Sequence, residues 1–294
     1  MKKLIFIGIA ALCASCSSDS SDEPVVPPAY QEGAVQIQTR VDEGTVIAEV
    51  NAGLYMVNYV EGEPGNLKTT ANYVNNQLLT FADGAWSTSQ TIYWKDIVTP
   101  ADFYAYAPFQ SNVTDARAMS FSVQKDQRTL EAVAQSDFLW GTLQEQSPTA
   151  SDLGLKVSHM LSQLTVKVVT DGNFTEPIKP EDVAITIGGT KTAAKIDLAT
   201  GMATPVGGAV DVKCYSNGDL SYTAILIPQQ VPFSNLIQIM WKDNPFVVQN
   251  AFKLESKKRY TLTVKLRNIE GGFNVGIGGW DIVEEDFGGR VGGG

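Results

Sequence analysis

The chain has 294 residues, 44 % of them hydrophobic, with 32 acidic residues against 22 basic ones and a formal net charge of −10 at pH 7. That length allows two domains of ordinary size or one large all-β domain. Its acidic balance leaves no electrostatic footprint for DNA or RNA, so nucleic acid is excluded as a partner.

In chain order, the first signal is a leader. Lys2 and Lys3 precede a nine-residue apolar run, Leu4 to Leu12. A spanning helix needs about 20 apolar residues, so the run reads as the h-region of a secretory signal. Small Ala14 and Ser15 then precede Cys16, a pattern that resembles a bacterial lipobox. Cys13 stands where that motif usually has an aliphatic residue, and Leu12 lies one place further back. The expectation is cleavage of residues 1–15 between Ser15 and Cys16 by the lipoprotein signal peptidase, with a covalent diacylglycerol on Cys16. Each buried CH₂ of such a chain contributes roughly 0.8 kcal/mol, and stable attachment takes more than one chain. "SSDSSDEPVVPP" follows, so residues 16–32 read as a solvated acidic and prolyl tether. Its acidic start resembles the surface-export signal of Bacteroidetes lipoproteins and points to the outer face of the outer membrane. Loss of residues 1–15 removes two lysines and no acid, taking the charge from −10 to −12. Cys214 is then the only free thiol, so an intrachain disulfide is excluded and core packing must supply stability.

Beyond residue 33 the dominant period is two. "AMSFSV" alternates Met119, Phe121 and Val123 with polar neighbours, and "LTVKV" does the same with Leu164, Val166 and Val168. "YTLTVKLRN" sets Tyr260, Leu262, Val264 and Leu266 against polar partners. Such alternation buries one face of an antiparallel sheet and wets the other. "AITI", "AILI" and "LIQIMW" are further short strands. Turn signals recur at Asp83-Gly84, Asp171-Gly172, Gly188-Gly189 and Asn217-Gly218. Only "TLEAVAQSDFLW", residues 129–140, reads as helical. The polar stretch "QEQSPTASDLG", residues 144–154, is taken as a linker. This predicts an all-β chain of two β-sandwiches, residues 33–150 and 151–294, the second ending in a Gly-rich tail.

No catalytic constellation is apparent, and the chain is read as not an enzyme. His159 is the only histidine, no G-x-S-x-G elbow accompanies it, and a hydrogen-bonded structural role is expected. Cys214 lies in an alternating strand without a neighbouring base and reads as a small buried residue. "VGIGGW" lacks the spacing of a phosphate loop. The acidic clusters "PEDV" and "VEEDF" lack the alternating ligands and turn glycine of a calcium loop. No metal or dissociable cofactor is expected.

Several stretches together resemble the fimbrillin family of Bacteroidetes, the subunits of protease-assembled pili. They are "VQIQTRVDEG", "IYWKDIVTPADFYAYAP", "QSDFLWG", "LKVSHMLSQLTVKV", "ILIPQ", "KLESKKRYTLTVKL" and "VGIGGWDI", in that order. The resemblance implies two tandem transthyretin-like Greek-key β-sandwiches and a fimbrial subunit that supports adhesion. It implies other fimbrial subunits, the outer membrane and a trypsin-like maturation protease as partners, with host or bacterial surface ligands beyond them. By the same resemblance, cleavage falls at Arg40-Val41 and releases residues 16–40. The displaced strand would point Val35, Ile37 and Thr39 inward, with Gln36 and Gln38 outward. A neighbour's C-terminal strand would fill the vacated groove; here the donor candidates are Ile282, Phe287 and Val291. Glycines fill five of the last seven positions, which weakens that tail as a strand. The competing readings are a non-polymerising tip adhesin and a glycan-binding surface lipoprotein using exposed aromatics such as Trp86, Trp94 and Trp241.

Overall fold

The computed structural model describes residues 33–41, 50–82, 85–88, 90–170, 177–269 and 274–286. The first sheet is built from β1 (Ile37–Val41), β2 (Ala52–Asn58), β3 (Val74–Ala82), β4 (Ala85–Thr88), β5 (Ala101–Ala107), β7 (Leu139–Gln146) and β8 (Leu153–His159). Their spatial order is β1-β8-β7-β5-β2-β3-β4. The sheet curls until its two ends, β1 and β4, meet, closing the first sandwich on its own core. Between β5 and β7 run β6 (Met119–Ser122) and the helix α1 (Leu130–Ser136). Thr129 starts the helix by accepting the Ala132 amide at its hydroxyl, the usual capping role of threonine.

The second half forms two further sheets. One orders β11 (Met202–Lys213), β10 (Val183–Asp197), β14 (Gln229–Trp241) and β15 (Asn244–Leu254), with β6 also pairing to β10. The other orders β12 (Tyr215–Ser216), β13 (Ser221–Leu226), β9 (Ser162–Thr170), β16 (Lys258–Ile269) and β17 (Asn274–Asp286). These two face each other across a core that includes Leu164, Val166, Ile185, Ile237, Leu262 and Val264. The molecule is thus all-β and built of β-sandwiches, and the period-two residues of β6, β9 and β16 are buried as expected.

β5 and β13 are buried along their whole length, and β2 nearly so. One side of β5 sends Phe103, Ala105 and Ala107 into the inner core of the first sandwich. The other side sends Tyr104 and Tyr106 into a second cluster with Phe121, Phe138, Ile196, Leu198 and Ile225. Apolar cover on both faces is why "ADFYAYA" runs without a wet residue. That second cluster draws on both halves of the chain, and residues 32–294 form one compact unit.

Local readings resolve in three ways. Asn217-Gly218 is a turn, with Gly218 at φ +87° and the Asn217 amide donating to the Ser221 carbonyl. Gly188-Gly189 is not a turn but a bulge inside β10, where the register with β11 shifts. A Cβ on Gly188 would lie 2.3 Å from the Asn235 carbonyl oxygen, so the glycines permit close approach of β14. The polar stretch 144–154 is the end of β7, a connection and the start of β8. β8 lies beyond the 150/151 boundary in sequence, yet its ladders are to β7 and β1 in the first sheet.

Candidate functional site

Among the described residues β1 sits at one end of its sheet, with its ladder to β8 alone. The pairing is parallel, with Ile37 opposite Leu153, Thr39 opposite Leu155, Arg40 opposite Lys156 and Val41 opposite Val157. The strand is led in by short antiparallel contacts. Trp94 N–H donates to the Gly33 carbonyl at 2.7 Å and Val35 N–H to Ile92 at 2.8 Å, and Leu153 N–H donates to Gln36 at 2.8 Å where the parallel pairing begins. Val35 is buried, Gln36 exposed and Ile37 packed on the inner core, which follows the alternation expected for a half-buried strand. The side chains of Thr39, Arg40 and Val41 lie outside the described residues; the backbone puts the Arg40-Val41 bond at the C-terminal end of β1.

Beneath β1 lies an apolar trench. Leu153, Leu155 and Val157 of β8 are buried, with Phe103 and Leu143 behind them. Ile37, Phe103, Leu143, Leu153 and Leu155 surround a narrow gap with no room for a water molecule. Atoms lining such a gap lack partners on one side and forfeit dispersion contacts. β1 therefore covers this apolar floor and leaves beneath Ile37 only a gap too small for water. Withdrawing it breaks one ladder of five residues and bares the backbone edge of β8, which is a template for another strand.

At the opposite end of the chain, β17 pairs antiparallel with β16 and ends its own sheet. Ile282 belongs to this ladder, opposite Leu262. Phe287 and Val291 lie outside the described residues, as do Ser15 and Cys16. Of the donor candidates, Ile282 is held in a different sheet from the trench of its own chain.

The remaining candidates have structural roles. His159 is buried, with Nδ1 lying 2.7 and 2.9 Å from the two carboxylate oxygens of Asp137. The pair fastens the end of β8 to the end of α1. Cys214 is buried where the chain crosses from β11 to β12, and burial pushes its thiol well above the ordinary range. It floors a cleft of about 310 Å³ with Arg128, Val183, Ile185, Lys213 and Tyr222 around it. The Tyr222 hydroxyl donates to the Pro180 carbonyl. Among the described residues no three His, Cys, Asp or Glu side chains converge to hold a metal ion. Trp94, expected as an exposed aromatic, is buried: its ring meets Phe103 edge-on and its indole N–H donates to the Thr149 carbonyl. Trp241 is half-buried against the second core, and the side chain of Trp86 is outside the described residues.

One residue that the sequence reading passed over is Gln127. It is fully buried between the halves, its amide N–H donating to Ile225 and Gln124 and its carbonyl accepting the Ile225 N–H. Nothing but its place before Thr129 marks it in the sequence.

Comparison with known proteins adds the following. The profile of a family described as fimbrillin-like matches residues 39–280. A candidate cell adhesion protein from Bacteroides uniformis superposes with a TM-score of 0.65 at 19 % identity, over 87 % of this chain and 100 % of that one. Another from Bacteroides ovatus gives 0.64 at 15 % identity, over 86 % and 96 %. A fimbrial protein from Bacteroides vulgatus gives 0.54 at 13 %, over 87 % and 99 %. No curated protein matches the chain. No helix among the described residues is long and apolar enough to cross a membrane.

Proposed function

Because the chain belongs to the fimbrillin-like family, we propose that it is a structural or accessory subunit of cell-surface fimbriae, assembled by protease-triggered strand exchange. In this reading a lipidated Cys16 carries the precursor to the outer face of the outer membrane. A trypsin-like protease then cuts Arg40-Val41, and residues 16–40 depart with β1. A second subunit's C-terminal segment fills the trench over Leu153, Leu155 and Val157, an instance of β-augmentation.

The observation that supports this reading is the seat of β1: an end strand whose one ladder among the described residues is to β8, lying over an apolar floor of Leu153, Leu155 and Phe103. Full burial of an aliphatic side chain contributes about 1.5–3 kcal/mol, and a half-seated Ile37 collects less. The resident strand is thus a modest competitor for its own slot. Ile282 is committed to β17, so the donated segment is either the tail carrying Phe287 and Val291 or β17 peeled from β16 together with that tail. No step of the assembly needs a catalytic residue of this chain.

Brief trypsin treatment of the purified precursor tests it. A single early cut after Arg40, read by mass spectrometry, followed by SDS-resistant ladders, is the expected result, and Arg40→Gln suppresses both. A cut precursor that remains monomeric removes strand exchange from the reading.

A further inference from the structure

Outside the β1 slot, the most exposed apolar feature among the described residues is a pair of neighbours, Ile97 and Val98, at 82 % and 73 % exposure. They crown the turn between Trp94 and β5. That turn is stiff: one carboxylate oxygen of Asp96 accepts the Val98 and Thr99 amides at 2.9 and 2.6 Å, and the other accepts the Thr99 hydroxyl at 2.6 Å. Ile97 and Val98 thus stand as an exposed aliphatic pair on a braced tip.

Their place in the fold identifies the partner. Trp94 binds the Gly33 carbonyl, and Ala34 pairs with Tyr93, so residues 16–32 join the fold three residues from Ile97. Tyr59 N–H donates to Pro100, which brings the turn with exposed Val60 to the same end of the sheet. A random-coil span of the length from Cys16 to Gly33 reaches roughly 20–25 Å. A lipid on Cys16 would therefore hold this end of the first sandwich within that distance of the bilayer.

Resting on the reading that Cys16 is lipidated, we infer that Ile97 and Val98 form a second, non-covalent membrane contact that inserts into the lipid surface beside the anchor. The chemistry around them fits a shallow insertion. Half-exposed Tyr93 is of the type that settles at headgroup level, and exposed Lys95 offers an ammonium to lipid phosphate. Exposed Glu61 and Glu63 on the neighbouring turn oppose a strongly anionic surface. Zwitterionic lipid is the expected partner. Contact at two points fixes which way the β1 slot faces, whereas a tether alone leaves it free to turn.

The test uses the lipidated full-length chain bound to phosphatidylcholine vesicles, with an environment-sensitive dye on Ile97→Cys or Val98→Cys. Native Cys214 is buried and escapes labelling. Vesicle binding is expected to shift the emission to the blue and to make it quenchable by a lipid-soluble nitroxide. A dye on Asp243→Cys, in the β14–β15 turn, is expected to stay water-like. In Ile97→Asp, transfer of the lipidated chain between vesicles is expected to speed up on the order of tenfold. Flotation of the same samples separates the two premises. A chain that floats while the dyes at 97 and 98 stay water-like overturns the docking and leaves the anchor standing. A chain that does not float overturns both. A blue shift that tracks protein density rather than lipid assigns the pair to contact between copies and overturns membrane docking.

Discussion

Gln127 shows how much a single polar side chain holds here. With the amide tied to both backbone groups of Ile225, it joins the loop after β6 to β13. Gln127→Leu keeps the bulk but leaves a buried N–H and C=O unpaired, which costs about 1–3 kcal/mol for each group. The variant is expected to melt several degrees lower, and an unchanged melting temperature would show that water enters to replace the amide. The buried phenols carry a pH signature. Burial pushes Tyr106 and Tyr104 up to about 12, the second aided by the charge of Asp102. A folded-state value above the ordinary value near 10 favours the native state fully below pH ~10, and that contribution is lost as pH rises toward about 12. Absorbance at 295 nm should therefore show these phenols ionising late and together with unfolding. Ionisation alongside exposed tyrosines near pH 10 would contradict their placement. His159 and Cys214 were readable as structural from their isolation in the sequence, but the Asp137 partner, 22 residues upstream, was not.

At the scale of elements, Gly141 in β7 governs how β8 lies. A Cβ there would stand 1.9 Å from the Lys156 carbonyl oxygen, and backbone cannot yield cheaply. Gly141→Ala is expected to lose about 1–3 kcal/mol as an overpacked site and to loosen the floor under β1, seen as faster trypsin cutting after Arg40. Unchanged cutting with a lowered melting temperature would separate the two effects. Ile37→Asp puts a charge over the Leu153–Leu155 floor and is expected to weaken retention of β1, measured by amide exchange in residues 37–41. The strands themselves were legible because period-two burial is local: Met119, Phe121, Leu164, Val166, Leu262 and Val264 all point as their alternation requires. Pairing was not legible. That β1 would lie beside β8, more than 110 positions later, depends on long-range closure, to which periodicity is blind. The Gly188-Gly189 bulge misled for a related reason, since a glycine pair marks close backbone approach as readily as a turn.

For the molecule as a whole, the cluster joining Tyr104, Tyr106 and Phe138 to Ile196, Leu198 and Ile225 makes the two halves mutually dependent. β6 adds to this by pairing across to β10, with Phe121 opposite Ala194, and Trp140 donates its indole N–H to the Leu198 carbonyl. Calorimetry of residues 33–294 is expected to give one cooperative transition, and residues 33–150 alone, lacking β8 and β10, are expected to remain unfolded by near-UV circular dichroism. Two resolved transitions or a folded fragment would show the halves to be autonomous. The direction of β1 has a last consequence. It runs parallel to β8, and parallel ladders are slightly weaker per residue than antiparallel ones. A newcomer that enters the vacant position head-down, against the run of β8, gains the straighter bonding pattern that its predecessor lacked. In the proposed strand exchange that small gain per residue disfavours return of the displaced β1.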